Sequence, residues 1–590
     1  MPSDPNSRCG HTCLRNMPAS PVCTALFFFA TWFYMAGYWG DLLYRMQSCS
    51  LFLTGGGFLA DMLQRPAGPL RYAGSFLTAC CYWPVLGAGL FAGCLTLTAL
   101  IAGRLFRPAR AWSWLVFAPA AAVIWLQPAV NYAIYRFFDT TLLFTLPLGL
   151  TCMMLLYALM ARLLHGRLAG LLPVVAVAGY FLAGSMVLGA MLLLTIHSCR
   201  MRCRTGLSLW CTALTALLPL AAFRFVFGDA LAVCYTAPLP SFTAWPLLAA
   251  YSLLPAGLIL LLAILPSGAP EKRRADLFAL AGLTVLLAVT AATAYRDRNF
   301  RTELRASRLL ERHDFEGVRR VTKGLTRPTH ALLAYKAVAA DYTGRLTGDF
   351  FEGFGLPVPP RTRHDVTETA SFNKEFALYS GMVNNCYHWA MEDMAYEKPT
   401  LQLLQLLSQC ALLNREYALA RKYAGTLQRT LFHRGWARRV MQWAASPEPF
   451  FADKVYGRIA EAMPREDMLA NNNLTPTVYY LMLQQGTATE LSRSLMSALY
   501  LNRPDLFLPA VGWAEHFSDP VRSKHLQEAV AIFDLTDSTA LSRTLGVNAQ
   551  ISARAREFLK AWTSTPPGRQ EELRKRFGDT YYYYLFTINQ

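Results

Sequence analysis

The sequence predicts an all-α membrane protein, with a polytopic transmembrane helical domain followed by an irregular α-solenoid of tetratricopeptide-like hairpins. Three observations carry this. Before Tyr295, long apolar runs alternate with short Arg-bearing breaks, whereas after Arg301 amphipathic segments carry charge almost every turn. The 590 residues are 54% hydrophobic and 16% charged, where a soluble protein has about 25% charged residues. Strand patterning is weak throughout. The predicted organisation is a polar N-terminal tail over 1–21, a transmembrane domain over 22–295 and a soluble helical repeat-like domain over 296–590. Such a length suits two or more cores.

The tail carries Arg8 and Arg15, and the run that follows it lacks a clear small-x-small cleavage site. It reads as an uncleaved first span. Candidate spans are 22–39, 80–103, 112–127, 141–161, 171–197, 207–226, 245–265 and 277–295, most near the roughly 20 residues a bilayer needs. Lys and Arg in short loops set orientation. The N-terminal arginines, the cluster Arg104, Arg107 and Arg110, and the pair Arg162 and Arg167 all fit an inside location.

Eight plain spans then place Arg200, Arg202 and Arg204, and also Lys272, Arg273 and Arg274, on the outside. Gly179, Gly184 and Ser185 near the middle of the fifth run allow a broken or re-entrant segment over 171–197, provided protein or a watery cavity shelters the break. That arrangement leaves 13 inside Lys/Arg against Arg45, Arg65, Arg71, Arg136 and Arg224 outside, and makes the second half extracytoplasmic. The alternative is one ordinary fifth span with a cytoplasmic second half.

Residues 39–78 form the loop after span one. Phe58 to Leu63 has the pattern of a short interfacial helix, Gly55–Gly57 marks a sharp turn, and Pro66 and Pro69 are expected to end the helix. Asp41 lies directly after the first span and Asp61 within the loop; Asp139 sits beside Arg136 in the next outside loop, and Asp229 in the last. This layout, without a shared motif, is similar to that of polytopic glycosyltransferases that use lipid-linked sugars. It makes Asp41 a candidate general base on an acceptor hydroxyl, with Asp139 and Arg136 as candidate groups near a metal or phosphate. The structural reading of the same residues is a helix cap at Asp41 and an Asp139–Arg136 pair at the interface.

Net charge is +18. Arg clusters anchoring helix ends to anionic headgroups account for it; no basic stripe interleaved with aromatics points to nucleic acid. Of 14 cysteines, most lie in or beside apolar runs, as Cys80, Cys81, Cys94, Cys152 and Cys211 do, and read as packing residues. Cys199 and Cys203 lack a second pair for a metal site. Cys386 and Cys410 lie in the second half and are able to pair only if it is extracytoplasmic.

In that half, "LLERHDFEGVRRV" and "LLNREYALARKYAGTL" each have an apolar helix end, a few polar residues, an aromatic and then a small or branched residue, the mark of tetratricopeptide-like hairpins, though without a strict period. Pro357, Pro359 and Pro360 mark a loop at 350–370, Ser446 to Pro449 a break, and Pro476 a helix start in "NNNLTPT". Pro566 and Pro567 precede a last helix, and "DTYYYYLFTINQ" either docks on the solenoid or lies at the membrane surface. His388 and Glu392 stand at i and i+4, spaced for a metal or for an ordinary polar face. "LFHRGWARRV" is a basic amphipathic stretch, read as a solvated face or a binding element for a partner or headgroup.

Together "GMVNNCYHWAMEDMAYEKPT", "LLNREYALARKYAGTLQRTLFHRGWA", "NNNLTPTVYYLMLQQG", "ALLAYKAVAADYTGRLTGDFF" and "LFLTGGGFLADMLQRPAGPLRYAGSFLT" resemble an uncharacterised multi-pass membrane family of Bacteroidetes bacteria. The resemblance covers most of the chain. It implies an inner-membrane protein with a tetratricopeptide-like C-terminal region, and no activity or site residue. Two functions remain from the sequence. One is a scaffold or accessory factor in envelope assembly or polymer export, with membrane lipids and other envelope proteins as partners. The other is a transferase using a lipid-linked sugar. No cofactor is specified. A transporter fits less well, since few spans carry a charge away from their ends.

Overall fold

A computed structural model describes residues 20–129, 131–136, 142–228, 230–239, 245–265, 274–325, 328–351, 374–396, 399–464, 487–500, 502–513, 523–537, 541–566 and 569–588, and every regular element among them is a helix. The chain divides into two compact units. The first is Met1–Arg296 with Pro399–Gln402 and Thr426–Gly435; the second is Asp297–Lys398, Leu403–Gly425 and Trp436–Gln590. Two stretches expected in the soluble half therefore pack with the apolar one. The N-terminal arginines, Asp139, Asp229, Lys272 and Arg273, the proline-rich loop at 352–373 and the Pro476 helix start lie outside the described residues.

In the first unit, α1 (Pro21–Gly37) begins on a proline, whose missing N–H costs nothing in a first turn. The chain bends by 71° into α2 (Gly40–Ser48). Next come α3 (Gly56–Leu63), α4 (Gly68–Ala79) and α5 (Pro84–Phe106). The short helix expected over Phe58 to Leu63 is present as α3. Pro69, however, opens α4 rather than ending α3, and the second candidate span starts at Pro84 because Cys80–Tyr82 form a 3-10 turn between it and α4. A 3-10 turn (Arg110–Phe117) leads into α6 (Ala118–Ala129), and a second (Asn131–Arg136) precedes α7 (Leu142–His165).

The fifth run is broken as its small residues suggest. It forms α8 (Leu172–Ala183) and α9 (Met186–Met201), parted at Gly184 and Ser185. A Cβ on Gly179 would lie 3.1 Å from Val187 Cγ2. Residues eight apart stand about 12 Å apart along a continuous helix, so the chain turns back sharply. The turn is pinned by Ser185 N–H donating to the Ala237 carbonyl at 2.7 Å. Tyr180, at the end of α8, donates its hydroxyl to the Cys234 carbonyl at 2.9 Å.

The unit continues with α10 (Thr205–Phe225), α11 (Leu231–Thr236), α12 (Trp245–Ile264) and α13 (Arg274–Thr293). Arg110 forks onto Asp276 at 2.7 and 2.8 Å, tying the first 3-10 turn to α13. Among the described residues five helices are long and apolar enough to cross a membrane, or six if α1 and α2 count as one bent span. The sequence suggested eight candidates. The three not counted are α1 with its 17 residues, the fifth run, whose halves of 12 and 16 residues each fall short, and the 245–265 run, of which Leu253–Ile264 stands among the shorter apolar helices. Large apolar side chains point outward from these helices, with Phe33 69%, Phe225 82% and Phe278 68% exposed. A belt of that kind is costly in water and at ease in lipid.

In the second unit, caps mark the helix starts. Asp297 accepts from Asn299 N–H and Phe300 N–H at the head of α14 (Arg298–Glu311), and Asp314 accepts from Gly317 N–H at 2.8 Å at the head of α15 (Phe315–Thr322). Each cap satisfies first-turn donors that have no partner within the helix. Then follow α16 (His330–Tyr342), α17 (Val383–Tyr396), α18 (Leu401–Leu413), α19 (Tyr417–Gln428) and α20 (Arg434–Ala445). The last group is α21 (Ala488–Tyr500), α22 (Pro504–Trp513), α23 (Lys524–Thr536), α24 (Ala549–Ser564), α25 (Arg574–Phe577) and α26 (Tyr581–Ile588).

One turn recurs. After a helix, a residue in the left-handed region is followed by one whose N–H reaches back to the carbonyl five positions earlier, the Schellman closure. It joins Asp314 to Leu309, Arg345 to Ala340, Met382 to Ala377, Glu416 to Ala411, Arg503 to Ala498 and Val547 to Ser542, at 2.7–3.1 Å. The left-handed residues are His313, Gly344, Gly381, Arg415, Asn502 and Gly546. The first four acceptors are spaced 31, 37 and 34 residues apart.

The tetratyrosine tail is core. Tyr581 to Tyr584 are at most 1% exposed, packed among Phe351, Phe533, Phe558 and Phe577. This decides between docking and a membrane-surface location in favour of docking within the unit.

Candidate functional site

The loop after α1 was singled out by its acidic residues. Asp41 falls in the first turn of α2 and is half-buried, where a carboxylate complements the free N–H groups of a helix start. One turn on, Arg45 is buried and its guanidinium lies 5.2 Å from the centre of the Tyr135 ring. The helix of Asp41 and the 3-10 turn ending at Arg136 therefore lie side by side. Asp139 lies outside the described residues. Arg71 on α4 is also buried, as is Gln127 on α6, whose amide has no hydrogen-bond partner among the described residues. Buried polar groups in an apolar helical unit are expensive and mark sites of function more often than not.

Sequence reasoning missed a second part of this region. The stretch Thr426–Gly435 packs into the same unit as the loop. Thr54 donates both its N–H, at 2.7 Å, and its hydroxyl, at 2.8 Å, to the Arg429 carbonyl. Leu401 N–H donates to the Ser50 carbonyl at 3.1 Å. Phe432 stacks on Tyr82 at 5.5 Å and meets the edge of Trp83 at 4.7 Å. Leu431 and Phe432 close a small apolar cluster on Phe52, Phe58 and Ala79.

Beside this cluster, Gln47 Nε2 donates to His433 Nε2 at 2.9 Å, deep in the unit. That bond requires a neutral ring with its proton on Nδ1. Burial agrees, pushing the His433 imidazole down to about 4. The stretch "LFHRGWARRV", read from sequence as a solvated face or a partner-binding element, thus buries His433 and half-buries Leu431 and Phe432 within the first unit. The available signal was the apolar Leu431–Phe432 pair ahead of a histidine.

The second unit has two closed polar networks. Phe351 N–H donates to His525 Nε2 at 3.2 Å, His525 Nδ1 meets Glu528 at 2.9 Å, and Glu528 also accepts Tyr581 N–H at 2.9 Å. The accepted N–H places the ring proton on Nδ1. The pair is at most 2% exposed, and it fastens α23 to α26. Asp341 likewise accepts from Arg493 at 2.8 Å and Arg458 at 3.0 Å. His388 and Glu392 face each other at 4.0 Å on the surface of α17. No group of three or more metal-ligating side chains gathers among the described residues. Cys386 and Cys410 are buried free thiols in contact with each other.

A profile of a family of unknown function, DUF6057, matches residues 16–588. The chain belongs to the DUF6057 family. That span includes residues of both units and the 426–435 stretch. No curated protein and no solved structure matches the chain.

Proposed function

We propose that this DUF6057 chain is a multi-pass bacterial inner-membrane protein whose second unit is an extracytoplasmic α-solenoid. In this reading it serves as a scaffold or accessory factor in envelope assembly or polymer export. The observation that carries it is the recurring hairpin turn, repeated at 31, 37 and 34 residues, close to the 34 of a tetratricopeptide array. Stacked hairpins of that kind offer long surfaces to other proteins. The reversal at Gly184 supports the orientation, because it returns the chain to the inside ahead of Arg200, as the positive-inside rule requires.

A second reading is favoured by the buried Arg45, on the helix of Asp41, and the buried Arg71 on α4. In it, Asp41 takes the proton of an acceptor hydroxyl, and the arginines hold the diphosphate of a lipid-linked sugar. One experiment separates the two. A deletion strain is complemented with Asp41→Asn, and envelope glycans and lipid-linked sugars are profiled by mass spectrometry. The scaffold reading expects full rescue at normal protein level. A variant that copies a glycan defect of the deletion overturns that reading in favour of the transferase.

A further inference from the structure

The end of the second unit holds a concave basic site that neither reading uses. An open surface groove of about 430 Å³ is lined by Arg554, Arg574, Lys575, Arg576, Gly578 and Asp579. Its floor is organised before any ligand arrives. Asp579 is gripped from two sides, by Lys524 Nζ at 2.9 Å and by Arg554 Nη2 at 2.9 Å. Arg554 also donates to the Arg576 carbonyl at 2.8 Å. The guanidinium groups of Arg554 and Arg576 stand 6.0 and 5.1 Å from the centre of the Phe577 ring, itself buried. Arg576 further pairs with Glu557.

Among the described residues, the cations Lys524, Arg554, Arg574, Lys575 and Arg576 gather around the carboxylates Asp579 and Glu557, with the charge of Glu528 also acting on Arg554. Asp579 fixes the heads of Lys524 and Arg554, while Lys575 and Arg576 remain exposed at the surface. Guanidinium forks held in place beside a lysine suit the oxygens of a tetrahedral oxyanion. The groove has room for a phosphate group and a small organic body attached to it.

We propose that this groove binds a phosphate-bearing ligand, either a soluble phosphate compound or the phosphate of an anionic lipid headgroup. The test uses the full chain in detergent, titrated separately with inorganic pyrophosphate and with short-chain phosphatidylglycerol. Saturable binding of either probe is expected, and the probe that binds identifies the source. Arg574→Ala combined with Lys575→Ala should weaken it by about tenfold or more, while Arg421→Ala with Lys422→Ala, on an exposed face of α19, should leave it unchanged. On the unsubstituted chain, the bound probe should protect Lys575 from an amine-reactive label read by mass spectrometry. The inference is overturned if neither probe binds at about 1 mM, if both double variants bind alike, or if Lys575 labels equally with and without probe.

Discussion

His433 shows how a single side chain acquires a role from its surroundings. Its imidazole, pushed down by burial to about 4, stays neutral when docked but takes a proton near 6.5 when released. The released state therefore binds more protons between those two values. Docking of the 426–435 stretch is at full strength above about pH 6.5, weakens as pH falls, and levels off below about 4. By pH 5 the loss is about 2 kcal/mol. Limited proteolysis within this stretch should speed up between pH 7 and pH 5, and His433→Gln should flatten that dependence. Tyrosines of the tail give a second contrast. The Tyr581 hydroxyl is buried without a partner among the described residues, whereas that of Tyr584 donates to the Tyr500 carbonyl at 2.6 Å. Tyr581→Phe should leave the melting temperature unchanged or raise it. Tyr584→Phe should cost about 1 kcal/mol.

At the scale of elements, tight turns decide the fold, and they were the least legible part of it. The recurring closure uses His313, Gly344, Gly381 and Arg415 at its left-handed position. Only two of these are glycine, and the spacing drifts, so no strict period stood out. What the turn demands is a backbone conformation, and several residue types supply it at modest cost. The two glycines should nonetheless respond differently. A Cβ at Gly344 meets nothing within 4 Å, while one at Gly381 would lie 2.4 Å from the Ala462 carbonyl oxygen. Gly344→Ala should cost about 1 kcal/mol, and Gly381→Ala clearly more, read as melting temperatures of the two variants. Between helices, Arg493→Ala leaves Asp341 with Arg458 as its remaining ion-pair partner and should cost about 2 kcal/mol.

For the whole molecule, the split between lipid and water dominates. Apolar runs long enough to span, with arginines at their breaks, were readable directly, because a bilayer imposes length and hydropathy on every segment that crosses it. The side of the second unit was not. A reporter fused after Tyr295 and fluorescent only in the cytoplasm should stay dark if the fifth run returns at Gly184. Fluorescence there would favour a cytoplasmic second unit.

The sequence by itself determined an all-helical chain, an apolar half and a charged half, and the family, and it offered a break in the fifth run as one of two readings. Those features depend on composition and local periodicity, which each segment carries alone. Tertiary structure decided that Leu431 to His433 belong to the apolar unit, that four tyrosines form a core, and that Lys524, Arg554 and Asp579 meet beside Lys575. The reason is physical. Thr54 and Arg429 stand 375 positions apart, and no local pattern encodes a partner at that distance. Only the packing of the folded chain brings such groups together and sets which charges are buried, paired or left open to a ligand.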